Sequence, residues 1–169
     1  MAGGADITAS VDQSSLVAIL AKVGEIKDKI DAATYEATKK SAEYLQSRAV
    51  HNFEGGHPYG FHHVGGAAPN TVSGFLQRSI IYKPITGAAG VYTTHEGPTA
   101  IYARVIELGA HITPTEKKYL SWFDAQYGVQ RYEKEVTIPP HPYFIPAYRS
   151  LAERMDGIFY TALSTALEV

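Results

Sequence analysis

Val136-Thr137-Ile138-Pro139-Pro140-His141-Pro142-Tyr143-Phe144-Ile145-Pro146-Ala147-Tyr148 is the stretch whose reading decides how the chain is organised. Pro139, Pro140, Pro142 and Pro146 lack a backbone donor and fix φ, so the segment fits neither a central strand nor a helix interior. It reads as the end of a strand, a stiff bridge, and the entry to a final helix from about Pro146 to Leu167. Tyr143 and Phe144 are expected to anchor the bridge in the core, with His141 and the prolines holding the last helix at a set angle. No residue in it is catalytic in type.

Upstream, Arg131 to Ile138 alternates. Tyr132, Lys134, Val136 and Ile138 share one face and Arg131, Glu133, Glu135 and Thr137 the other, the pattern of a half-buried strand. Lys118 to Phe123 is a strand candidate leading into it through Asp124 to Gly128. Ile101 to Leu108 carries apolar residues on both alternating faces, as an internal strand does, and Gly109 ends it. Ile80 to Lys83 has strand composition and is expected to turn through Gly87 to Gly90 into Val91 to Thr94.

At the other end, Asp12 or Ser14 can cap a long helix whose apolar positions fall at three-and-four spacing: Leu16, Ile19, Val23, Ile26, Ile30, Ala33, Ala37, Tyr44 and Leu45. Continued to Ala49, that helix is roughly 50 Å long at 1.5 Å per residue, which is wider than a domain of this size. Either it bends near Gly24, or part of it packs on a neighbouring subunit. The fold expected is α+β: an antiparallel sheet packed by the long N-terminal helix and the C-terminal helix. Residues 1–169 make one domain, with 1–12 a flexible arm and 51–68 an extended His/Gly loop.

The 169 residues carry a formal charge of −2, with 45% hydrophobic and 19% charged residues, and show no Lys/Arg block that would draw nucleic acid. Cysteine is absent, which removes disulfides, thiolate metal sites and cysteine nucleophiles. Met1 to Ser15 has neither a basic region nor an apolar core, and no apolar run is long enough for a bilayer. The expectation is a soluble protein made in the cytoplasm, without contact to a membrane. Twelve tyrosines suit either an aromatic core or protein interfaces.

Enzyme motifs are missing. There is no phosphate-binding P-loop and no Gly-x-Ser-x-Gly elbow, and His95-Glu96 runs into Gly97-Pro98 where a helical zinc-protease motif needs a second histidine. His57, His62 and His63 invite a metal reading, but their spacing matches no zinc pattern. Neither catalysis nor a cofactor is expected. A metal-dependent enzyme built on that loop is the remote alternative.

Three pieces stand in order: Pro69…Ser73-Gly74-x-Leu76-x-x-Ser79-Ile80; Tyr102-Ala103-x-x-x-Glu107-x-Gly109; and Ile138-Pro139-x-x-Pro142-Tyr143-Phe144-x-Pro146-Ala147. Their order and spacing resemble the neck and tail-completion proteins of long-tailed bacteriophages, the lambdoid putative-tail-component and virion-morphogenesis group. The departures are Ser73 where a Thr is usual, Tyr143 where a Phe is usual, and the enlarged His/Gly loop. The resemblance implies a structural virion protein forming a homo-oligomeric ring, a hexamer, at the head–tail junction. Its partners would be head-closure or connector proteins and the tail tube or tail terminator, with DNA passing through the lumen unread. A tail-terminator ring capping the tube is the alternative. Tyr59, Phe61, His62, Tyr102, Glu107, Trp122 and Tyr143 are the residues expected at subunit contacts.

Overall fold

A computed structural model describes residues 12–53, 68–69, 73–124 and 127–168. In chain order the elements are α1 (Gln13–His51), α2 (Phe75–Arg78), β1 (Ile80–Tyr82), β2 (Thr86–Ala88), β3 (Val91–Thr93), β4 (Glu96–Pro98), α3 (Ala103–Leu108), β5 (Ala110–Ile112), β6 (Leu120–Asp124), β7 (Val129–Glu133), β8 (Val136–Ile138), α4 (Phe144–Ala152) and α5 (Met155–Leu167). This is the α+β class anticipated, with antiparallel strands between a long N-terminal helix and a C-terminal helical segment. Among the described residues the strands are distributed over four two-stranded ladders: β1–β4, β2–β3, β5–β8 and β6–β7.

Asp12 caps α1, its carboxylate accepting the amides of Ser14 and Ser15; these bonds and those from the two hydroxyls hold its pKa down at about 2. The helix is unbroken at Gly24 and continues to His51, two residues past the expected end. Its 39 residues make it about 58 Å long. Its C-terminal half is buried through Ala33, Ala37, Ala42, Leu45 and Ala49, packed on α4 and α5. The core closes around Leu45, Ala49 and Phe53 of this end, Leu76 and Ile80, Ala103, and Tyr143, Ala147 and Leu151.

Four local expectations are corrected. Ile101 to Leu108 is not an internal strand: Ala103 and Glu107, one helical turn apart, are buried from α3, while Val105 between them, which a strand would place on the same face, is not. Arg131 to Ile138 is divided between β7 and β8, which pair with different partners. The turn at Ala89–Gly90 joins β2 to β3, while β1 pairs with β4 instead. Both turn residues have positive φ, +55° and +80°, the combination that matches the twist of a two-residue hairpin. The final helix is interrupted at Glu153–Arg154, where the Arg154 amide bonds to the Leu151 carbonyl at 2.9 Å and its guanidinium lies 5.3 Å from the centre of the Tyr44 ring.

The proline bridge does connect a strand to a helix. β8 pairs with β5, and Gly109 just before β5 has φ +74°; a Cβ there would stand 2.8 Å from the Ile138 carbonyl oxygen and 2.9 Å from the Pro140 nitrogen. Only glycine fits that approach. Tyr143 is 1% exposed, its ring 4.6 Å from that of Phe53 and its carbonyl accepting from Asn52 Nδ2 at 2.6 Å. Phe144 is only half-buried against the same core. Tyr143→Ala is therefore expected to cost about 3–5 kcal/mol and Phe144→Ala about 1–2 kcal/mol by the usual scaling with buried volume. Chemical denaturation of the two variants checks the order.

Candidate interaction surfaces

Helix α4 begins without a local cap, since Tyr143 at its N-cap offers no side-chain bond to the first turn. A helix start leaves four amide donors in need of acceptors. Here Glu107 of α3 supplies them. Its Oε2 accepts from the Tyr143 and Phe144 amides at 2.9 Å each, and its Oε1 from the Ile145 amide at 2.8 Å. The fourth position is Pro146, which has no donor. In the same direction the His141 amide donates to the Ile106 carbonyl at 2.7 Å. A carboxylate on a helix N-terminus also meets the favourable end of the backbone dipole.

Two of the residues expected at subunit contacts are engaged within the chain itself. Glu107 is buried with its carboxylate committed to α4, and Tyr143 is buried beneath the bridge, so both act inside the subunit. Burial pushes the Tyr143 phenol well up, and the neighbouring Glu107 carboxylate adds to the effect. Tyr102 and Trp122 are exposed; Tyr102 lies with its ring 6.3 Å from that of Phe75, and Trp122 stands on β6. Tyr59, Phe61 and His62, and with them His57 and His63, lie outside the described residues.

Above the Glu107 lock is an open groove of about 420 Å³, lined by Pro98, Ile101, Arg104, Leu108, Phe144 and Ile145 among others. Ile101 is 99% exposed at its rim. The lining is mainly apolar, and the carboxylate in it, Glu107, accepts the three amides that open α4.

Two larger apolar faces are exposed, the first on the helical stripe read from the sequence. From Asp12 to Ile30 every residue of α1 but Gly24 is exposed, the aliphatic stripe included. The ribbon of β6 and β7 exposes Phe123, Tyr127 and Tyr132. Apolar residues on both faces of the ribbon sequence were the available signal for the second. Among the described residues no helix is long and apolar enough to cross a membrane.

One half-buried group among the described residues is poised to titrate. Burial pushes Glu96 of β4 from its ordinary 4.5 up to about 7, and its Oε2 has no hydrogen-bond partner. The folded chain thus holds this proton between pH 4.5 and about 7, where the unfolded chain has released it, so stability falls as pH rises through that window and levels off above it.

Comparison of the chain with protein-family models, with curated proteins and with solved structures yields no match.

Two outcomes are expected. Glu107→Ala leaves three amides without an acceptor and should lower stability by about 2–4 kcal/mol, with Glu107→Gln, which keeps one acceptor oxygen, losing less; urea titrations measure both. Glu96→Gln should match the parent near pH 5 and exceed it near pH 8 by about 1–2 kcal/mol, the full linkage being reduced by solvent screening at a half-buried site. Equal stabilities at both pH values would count against the buried carboxyl.

Proposed function

We propose that this chain is a structural virion protein of a long-tailed phage, assembled as a ring at the head–tail junction, where it joins or completes the tail and lets DNA pass. It is made in the bacterial cytoplasm and ends in the virion neck. The observation that carries the reading is where the three motifs meet. They lie far apart in sequence, yet Leu76 and Ile80 of the first, Ala103 and Glu107 of the second, and Tyr143 and Ala147 of the third are buried together. The residues on which the resemblance to neck proteins rests are thus the residues that hold the subunit together, as expected of a shared framework.

The apolar length of α1 that its own subunit leaves bare supports an assembling protein over a lone one. A closed ring requires two different faces per subunit, each meeting the other face of its neighbour. Hexameric order, head-closure and tail-tube partners, and an unread DNA lumen follow from the resemblance. No catalytic role is proposed.

A phage carrying a nonsense mutation in this reading frame tests the function. Electron microscopy of the lysate should show filled heads and separate tails of normal length, with joining restored by added protein. Tails of uncontrolled length would mark the chain as the tail terminator instead. Intact, infective particles lacking the protein would overturn both readings.

A further inference from the structure

The covered and uncovered parts of α1 divide sharply. At Asp31 the carboxylate accepts the Gly90 amide and, at 2.7 Å, the Tyr92 hydroxyl, fixing the β2–β3 hairpin to the helix. On another side Lys29 reaches Glu168, just past α5, at 3.9 Å. Beyond these two ties the segment 13–30 continues for about 27 Å. Its stripe, Leu16, Ile19, Leu20, Val23, Ile26 and Ile30, is 38–66% exposed.

At 100° per residue, Lys22 and Lys29 border one edge of this stripe and Lys27 the other, while Glu25 and Asp28 fall on the far side. The carboxylate at the stripe's edge, Asp31, is already engaged. Two copies of α1 laid stripe to stripe would bring lysines together at the edges, where the carboxylates within reach, Asp31 and Glu168, are already engaged within the chain, which disfavours self-pairing. What fits is an uncharged apolar face.

The same chain carries one. In the β6–β7 register Ser121 opposes Tyr132 and Phe123 opposes Gln130, so these four residues share one face and none is ionised. Phe123 and Tyr132 are each 64% exposed. The charged residues, Asp124, Arg131 and Glu133, lie on the opposite face, where Arg131 Nε is 3.2 Å from Asp124 Oδ2. The strands pack chiefly on each other, and a bare two-stranded ribbon is marginal in water without a covering layer.

We infer that segment 13–30 of α1 docks on the Phe123/Tyr132 face of the β6–β7 ribbon in a second copy of this chain. Six half-exposed aliphatic side chains offer on the order of 100 Å² each. With a matching ribbon area, the contact buries about 1,000 Å², the lower end of specific interfaces. Because the two faces differ, the contact is heterologous and repeats from copy to copy. Its closure into a ring rests on the neck reading above; the contact itself does not.

The test uses the full-length chain. Sedimentation velocity from about 10 to 200 µM should show concentration-dependent assembly, in keeping with an interface of this size. Val23→Glu/Ile26→Glu and Phe123→Ser/Tyr132→Ser, each verified as folded by circular dichroism, should each weaken assembly at least tenfold. Mixing the two variants should recover a one-to-one dimer, since each brings one intact face. The native chain has no cysteine, so a second arm is free of background. Val23→Cys and Phe123→Cys proteins, mixed under mild oxidation, should form the mixed disulfide in preference to either homodimer. A monomeric parent chain over that range, a mixture that stays monomeric, or Val23→Cys homodimers as the main product would overturn the contact. None of these results moves the location of the protein in the particle, which the lysate experiment reads separately.

Discussion

The carboxylate of Glu107 sits where α3 meets the end of the proline bridge and the start of α4. The bridge runs from β8 to α4, and its prolines cannot join a ladder or a helix. The bridge has few amides to offer, and Glu107 takes the three that open α4, Tyr143, Phe144 and Ile145. Tyr143 is thereby drawn beneath the bridge against Phe53, and α4 is aimed so that Ala147 and Leu151 meet Leu45 and Ala49 of α1. A neutral residue at 107 would leave buried donors unanswered, and the cost of that exceeds the modest net gain of an ordinary hydrogen bond.

Much of this framework was legible in the amino acids because it depends on near neighbours. Asp12 with Ser14 and Ser15 is a local cap, the stripe from Leu16 to Leu45 is a local periodicity, and the bridge is written in its prolines. Features set by distant contacts were not legible. Six residues of α3 are too few for period 3.6 to be told from period 2, and Val105 and Ile106 lean toward strand. Nothing in Leu151 to Met155 breaks a helix by itself; the interruption sits where Arg154 folds onto Tyr44, which is far away in sequence. The partner of β1 is equally non-local. The Glu107 lock left one trace, a helix opening at Tyr143 with no Ser, Thr, Asp or Asn to cap it, which asks for an acceptor from elsewhere.

The interaction surfaces follow the same division. A stripe can be read from spacing, but whether it is covered depends on where α5 and the β2–β3 hairpin stop. They stop near Lys29 and Asp31, so one continuous pattern serves the subunit's own core at its C-terminal end and is bare at its N-terminal end. The expected contact residues divide accordingly: Tyr102 and Trp122 are on the surface, whereas Glu107 and Tyr143 build the subunit that carries it. The chain is thus a packed hub with bare apolar extensions.

The central claim is that one carboxylate fastens the start of α4 to α3, so that the bridge and the α1 core open as one cooperative unit. Native-state hydrogen exchange on the parent chain measures this directly. The amides of Tyr143, Phe144 and Ile145 should exchange only through global opening, with the same free energy as the core amides of α1 around Leu45 and Ala49, and should lose that shared protection together in Glu107→Ala. Fast exchange of the three amides in the parent chain while the α1 core stays protected would contradict the account.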